Sequence, residues 1–235
     1  MGQSAPDLLM NAYMDDNDDA IVLDPRGPVR AAVIWLHGLG ASGDDFVPIV
    51  PELGLPRDHA IRFIFPHAPV RAVTINGGMR MRAWYDIKGI SRTAPQDRAG
   101  IDASQALVEK LIAGQNAAGI ASNKIVIAGF SQGGAIALHA GLRHAEALAG
   151  ILALSTYLPL HDALPVEAAS INRKVPILMC HGSQDPVVPY TLGEFSCAEL
   201  RKCGYGVDWR SYPMQHQVCL EEIEDIGRWL IERLG

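Results

Sequence analysis

An apolar, β-branched run, Ile125 to Ala128, leads straight into Gly129-Phe130-Ser131-Gln132-Gly133, and a small-residue helical pattern (Gly134, Ala135, Ala137, Leu138, Ala140) follows at once. A strand, a Gly-x-Ser-x-Gly turn and a helix with nothing between them leave the backbone few routes. The turn must be sharp enough to hold the serine strained at its apex with the hydroxyl exposed. Side chains at the two flanking glycines would collide with the neighbouring strand and helix. The serine also begins a helix, where unpaired backbone N–H groups favour developing negative charge. Surface turns carry the five-residue pattern by chance; the strand before it and the helix after it single out Ser131 as a candidate nucleophile.

The rest of the chain supplies a matching frame. Strand-like runs recur at Ile21–Leu23, Val29–Leu36, Ile61–Phe65, Ile125–Ala128, Gly150–Leu154, Ile177–Cys180 and Val207–Tyr212. Several are apolar almost throughout, as strands buried on both faces of a parallel sheet should be. Helical patterns fall between them, at Ile101–Gly119, Gln132–His144, Leu192–Cys203 and Leu220–Leu234. That alternation predicts an α/β sandwich with a mostly parallel central sheet and helices on both faces. With 235 residues, no internal repeat and no composition break, a single domain over 1–235 is expected. The longest irregular stretch, Pro66 to Gly100, is rich in Met and aromatic residues that seek burial, so it is expected to pack across the active-site face and line a pocket.

Composition narrows the function classes. Hydrophobic residues make up 49% and charged residues 20%, enough to build a sizeable core. The net charge of -6 is spread along the chain and no basic run occurs, so nucleic acid is not an expected partner. The acidic cluster Asp15, Asp16, Asp18 and Asp19 lacks the glycine and distal glutamate of an EF-hand loop and reads as a solvated face. Residues Met1 to Asp7 have neither a charged start nor an apolar core, so no signal peptide is expected, and Pro6 stands where a myristoylation site wants Ser or Thr. No apolar run reaches membrane-spanning length. Cys180, Cys197, Cys203 and Cys219 show no C-x-x-C spacing, Cys180 and Cys197 read as small core residues, and a reduced cytoplasmic protein is the simplest account.

A serine hydroxyl needs a general base, and that base needs an orienting carboxylate. On the α/β-hydrolase scaffold the chain order is Ser, then Asp or Glu, then His. Downstream of Ser131 lie His139, His144, His161, His181 and His216. His139 and His144 belong to the helix that Ser131 begins and point away from its start. His216 follows the strand Val207–Tyr212 and precedes the last helix, and Asp185 sits in the turn after Ile177–Cys180. Loops just after strands are where catalytic side chains collect in open α/β sheets. Asp185 with His216 is therefore the expected pair. His181 precedes Asp185 and breaks the order, so it reads as structural; Asp208 lies inside a strand and Asp225 on an exposed helix face. Trp35-Leu36-His37-Gly38-Leu39-Gly40 ends a strand in a loop able to aim N–H groups inward. The oxyanion site is expected from the N–H of Gln132, after the nucleophile, and that of Leu39, with His37 a buried histidine shaping the loop.

With these residues in hand, the chain resembles the acyl-protein thioesterase/carboxylesterase (phospholipase/carboxylesterase) family of α/β-hydrolases. The likeness runs through Leu36-His-Gly-Leu-Gly-Ala-Ser-Gly-Asp-Asp-Phe46, Phe65-Pro-His-Ala-Pro69, Ala83-Trp-Tyr-Asp86, Gly129-Phe-Ser-Gln-Gly-Gly134, His181-Gly-Ser-Gln-Asp185 and His216. The resemblance implies a three-layer α/β-hydrolase fold with no large cap domain, and Ser131, Asp185 and His216 as a triad. It implies an oxyanion hole of Leu39 and Gln132 N–H, and an acyl groove formed partly by Pro66–Asp86 with Trp84 as a wall. It also implies no metal and no cofactor, and it allows a homodimer. The expected reaction is hydrolysis of short- to medium-chain carboxylic esters through an acyl-enzyme. Alternatives are an acyl-protein or lysophospholipid (thio)esterase, a non-catalytic ligand receptor on the same scaffold, and a serine peptidase of the same fold. Gln217, beside His216, departs from the small residue that relatives often carry there.

Overall fold

The computed structural model describes residues 11–14 and 19–235. The readings made on residues 1–7 and on Asp15, Asp16 and Asp18 lie outside the described residues, whereas Asp19 is within them and exposed. The strands are β1 (Asn11–Met14), β2 (Ala20–Asp24), β3 (Ala31–Leu36), β4 (Ile61–Pro66), β5 (Val70–Val73), β6 (Met79–Arg82), β7 (Ile125–Phe130), β8 (Gly150–Leu154), β9 (Ile177–Gly182) and β10 (Val207–Tyr212). The helices are α1 (Arg98–Ala117), α2 (Gln132–Arg143), the short α3 (Leu164–Glu167), α4 (Tyr190–Lys202) and α5 (Leu220–Leu234), with a 3-10 segment at Gly43–Leu53.

Eight strands form one sheet in the order β1-β2-β4-β3-β7-β8-β9-β10. The first two pairings, β1 with β2 and β2 with β4, are antiparallel, and from β4 to β10 every pairing is parallel. Period-two alternation divides the strands between two cores. Ala32, Ile34, Leu36, Ile125 and Ile127 face a layer built from α1, α2 and α4. Ala31, Val33, Trp35, Val126 and Ala128 face Ile49, Val50 and Leu53 of the 3-10 segment and Ile226, Trp229 and Leu230 of α5. The three-layer arrangement and the strand runs are as expected, and Cys180 and Cys197 fill the two cores as small residues. Among the described residues no insertion is large enough to form a cap domain, and no helix is long and apolar enough to cross a membrane.

The stretch after Pro66 is more regular than its sequence suggests. It holds the hairpin β5–β6, and Thr74–Asn76 forms a 3-10 turn closed by Gly77 and Gly78 with φ of 66° and 80°. Both glycines occupy the left-handed region, which is why Asn-Gly-Gly stands there. Its strands are four residues each, too short for a period to stand out even though β6 alternates as Met-Arg-Met-Arg.

Helix α5 follows directly on the loop that carries His216, and its first turn buries Glu222 completely. The carboxyl makes no hydrogen bond of sound geometry. Burial is the main cause that raises its pKa to about 8; the Cys219 N–H pulls the other way, and nearby Asp225 adds to the rise. A folded pKa above the ordinary value of 4.5 means that the folded chain binds more protons through that window. The stability present at pH 4.5 is then lost as pH rises through about 8, on the order of a few kcal/mol in total. Glu222→Gln is expected to remove this loss, so its stability advantage over wild type in urea unfolding should grow from pH 5 to pH 8. A difference that stays constant with pH would contradict the assignment.

Candidate active site

Ser131 stands where β7 passes into α2, with φ 55° and ψ −119°. Non-glycine residues seldom hold such a backbone, at a cost on the order of 1–3 kcal/mol. Its N–H donates to Leu154 O at 2.8 Å, and the Thr156 hydroxyl donates to Ser131 O at 2.6 Å. A Cβ on Gly129 would strike the backbone of Gly133, and one on Gly133 would strike Leu36 O at the end of β3. The two glycines therefore let strand, helix and neighbouring strand meet.

His216, in the loop between β10 and α5, places Nε2 3.0 Å from Ser131 Oγ and Nδ1 2.7 Å from Asp185 Oδ2. The Asp185 side chain is fully buried, and its Oδ1 accepts the N–H groups of Val187 at 2.8 Å and Val188 at 2.9 Å. A carboxylate accepts, so the proton between these residues sits on Nδ1 and leaves Nε2 as the acceptor facing the serine hydroxyl. The Phe130 ring lies 4.7 Å from the His216 ring and limits its tilt.

The other histidines and acids serve elsewhere. His37, 1% exposed, donates Nδ1–H to Gly38 O at 2.7 Å and accepts Ala68 N–H on Nε2 at 3.0 Å, fixing the loop after β3. His181, at the end of β9, donates to Val188 O at 2.9 Å. Burial lowers the pKa of both. His139 is buried in α2, its pKa lowered to about 4 by burial first and by Arg143 next. Asp208 pairs with Arg210 at 2.7 Å, while Asp225 accepts the Tyr212 hydroxyl at 2.7 Å.

Leu39 and Gln132 flank the serine. Gly38 packs against it, since a Cβ there would lie 3.5 Å from Ser131 Cβ, and Leu39 follows. Gln132 is the first residue of α2, so its N–H is one of the donors that a helix start leaves without an intrahelical partner. The Gln132 side chain has a role that the sequence reading missed. Its Oε1 accepts Trp84 N–H at 2.8 Å and its Nε2 donates to Tyr85 O at 2.7 Å. It thereby ties the 84–85 backbone to the elbow, a link that no local pattern signals.

Two clefts meet at Ser131. The larger, about 650 Å³, is lined by Phe46, Ile49, Phe130, His216, Val218 and Ile223 among others. The smaller, about 270 Å³, is lined by Leu39, Ile75, Ile87, Ile90, Tyr157 and Val188 among others. The 66–86 segment does contribute to the second, through Ile75 and Asn76. Trp84 does not act as a wall: it is 1% exposed, lines neither cleft, and donates Nε1–H to His37 O at 2.8 Å. Its large ring is worth more buried beneath the loop, where the indole N–H finds an acceptor.

Comparison with known proteins matches residues 17–232 to the phospholipase/carboxylesterase family. Acyl-protein thioesterase 1 of Neurospora crassa is 44% identical over 213 residues, 87% of each chain. The crystal structure of Zea mays acyl-protein thioesterase 2 superposes with a TM-score of 0.82 at 32% identity, covering 92% of this chain and 99% of that one. Arabidopsis thaliana SOBER1 gives a TM-score of 0.84 at 29% identity over 88% and 100% of the two chains.

The Gln132 clamp can be tested by Gln132→Leu, which keeps the volume and the backbone N–H but strands Trp84 N–H and Tyr85 O. Each unsatisfied buried group costs about 1–3 kcal/mol, so a loss of about 2–6 kcal/mol is expected in urea unfolding. A loss under about 0.5 kcal/mol, the range of an ordinary surface substitution, would show that the clamp is dispensable.

Proposed function

The chain belongs to the phospholipase/carboxylesterase family, and from that premise we propose that it is a serine hydrolase of carboxylic esters working through an acyl-enzyme. The observation that carries this reading is the hydrogen-bonded series Ser131 Oγ, His216 Nε2, His216 Nδ1, Asp185 Oδ2, with links of 3.0 and 2.7 Å, set on the strained elbow. Ser131 Oγ attacks the ester carbonyl carbon while His216 Nε2 takes the hydroxyl proton. Asp185 holds the imidazole tautomer and stabilises the imidazolium. The N–H groups of Leu39 and Gln132 receive the oxyanion, each worth about 10²–10³ in kcat. The tetrahedral intermediate collapses, the bond from carbonyl carbon to leaving oxygen or sulfur breaks, and His216 returns its proton to the departing alcohol or thiol. Water, deprotonated by the same imidazole, then attacks the acyl-serine and releases the carboxylic acid.

This single domain, residues 1–235, acts with no metal or cofactor, and its free cysteines suit a cytoplasmic setting. The absence of a cap among the described residues and the modest smaller cleft favour short- to medium-chain acyl groups. The second reading is an acyl-protein or lysophospholipid (thio)esterase. It is favoured by the acyl-protein thioesterase relatives and by a serine mechanism that treats esters and thioesters alike.

Ser131→Ala is expected to lower kcat for p-nitrophenyl butyrate by at least about 10³-fold and to abolish covalent labelling by a fluorophosphonate. Hydrolysis at a near wild-type rate would refute the nucleophile. Across p-nitrophenyl esters, kcat/KM is expected to peak between short and medium chains. A rate that climbs steadily beyond dodecanoate would refute the chain-length reading.

A further inference from the structure

The two clefts differ in one respect that the chemistry cannot ignore: His216 lines the larger and not the smaller, whereas Gln132 lines the smaller and not the larger. Leu39, Ser131 and Val187 are common to both. In acyl transfer the leaving atom must stand beside the group that reprotonates it, within about 3 Å of the imidazole Nε2. The leaving half of the substrate therefore extends into the space that His216 borders. The acyl half takes the opposite direction.

On this basis we infer that the larger cleft, between residues 38–52 and 216–223, is a leaving-group site. It selects bulky, apolar alcohols or thiols that are neutral or positively charged. This inference rests on the serine-hydrolase reading above and names the half of the substrate which that reading leaves open.

The lining supports both parts of the selection. Phe46, Phe130, Ile49, Val218 and Ile223 supply apolar walls. They come from the 3-10 segment, the elbow, the His216 loop and α5, so four separate elements converge on one space. The rings of Phe46 and Phe130 lie 5.5 Å apart, and Phe46 also stacks on buried Trp35 at 5.4 Å, which backs that wall with the core. The volume, about 650 Å³, exceeds what a methyl or ethyl alcohol needs and sits in the range of sites for drug-sized molecules.

Charge supplies the rest. Asp45 and Glu52 are exposed residues lining this cleft, and among the described residues no Lys or Arg lines it. A cationic group at the rim meets two carboxylates. A phosphate-bearing leaving group, such as coenzyme A or a glycerophosphate, meets repulsion with no compensating base. Gln217, the departure noted beside His216, also lines the cleft and offers a neutral donor and acceptor at its edge.

The test uses substrates that share one butyryl group, so that all pass through the same acyl-enzyme. Methyl butyrate, 2-naphthyl butyrate, butyrylthiocholine and butyryl-coenzyme A vary only in the leaving half. Ile223→Trp, which fills the cleft, is expected to lower the kcat/KM ratio of naphthyl to methyl ester by about tenfold or more, with the loss in acylation and not in breakdown of the butyryl-enzyme. Wild type is expected to favour butyrylthiocholine over butyryl-coenzyme A, and Glu52→Lys to shrink or reverse that preference. Lengthening the acyl chain at a fixed naphthyl leaving group should leave the ratio of variant to wild type unchanged. If instead the Ile223→Trp defect tracks acyl length, or deacylation slows, the cleft holds the acyl chain and the inference falls. It also falls if neither substitution alters leaving-group preference. Failure of wild type to form any butyryl adduct on Ser131 would overturn the hydrolase reading itself, and mass spectrometry of the quenched enzyme distinguishes that result from the others.

Discussion

The left-handed backbone at Ser131 is the constraint around which this molecule is arranged. A serine at φ 55° and ψ −119° persists only where its surroundings leave the chain no alternative. Here they are close-packed backbones. The carbonyl of Leu36 lies against Gly133 and the carbonyl of Gly129 against Gly134, so β3, β7 and α2 are in contact without intervening side chains. Thr156 caps the Ser131 carbonyl, and Leu154 accepts its N–H. The parallel register of β3, β7 and β8 sets these contacts, since it brings Leu36, Gly129 and Ala153 level across the sheet.

Support for the elbow then passes outward through polar links between buried groups. The Gln132 side chain grips the backbone of Trp84 and Tyr85; the Trp84 indole grips His37 O; the His37 ring grips Ala68 N–H. The Tyr85 hydroxyl meets that of Tyr157 at 2.7 Å, and Tyr157 in turn faces the smaller cleft. Each link is a donor or acceptor that would be costly to strand. The loop after β3, the segment around Trp84 and the start of α2 are thus one rigid assembly, and the two candidate oxyanion donors, Leu39 and Gln132, belong to it.

The parts of this arrangement that were legible in the sequence are those encoded by local pattern. Apolar runs such as Val29–Leu36 and Ile125–Ala128 announce buried parallel strands because both of their faces must be covered. The Leu220–Leu234 pattern matches α5 at both ends, where Gly235 follows the last periodic residue. The elbow is legible because strand, glycines and helix are contiguous. Chain order and strand-end placement were enough to bring Asp185 and His216 to the serine. What was illegible depends on contacts between distant residues. The hairpin β5–β6 has too few residues for a period to emerge, with only Asn-Gly-Gly to betray its turn. Trp84 is the instructive error: an aromatic residue in a long loop suggested a pocket wall, but its place depends on whether an indole partner exists beneath the loop, and His37 O, 47 positions earlier, is that partner.

The same logic separates His216 from the two other histidines near the carboxyl edge of the sheet, since it alone of the three contacts both Ser131 and Asp185 through hydrogen bonds. His37 and His181 have each committed one ring nitrogen as donor to a backbone carbonyl, and burial holds both below the ordinary imidazole pKa. They are held as neutral braces. The His216 side chain keeps 14% of its surface exposed, and its Nδ1 faces a carboxylate whose remaining oxygen is already satisfied by two backbone N–H groups. Asp185 is as deeply buried as Glu222, yet it meets three donors where Glu222 meets none of sound geometry. The fold can bury a carboxyl at either place, but of the two only Asp185 has hydrogen-bond donors on both of its oxygens.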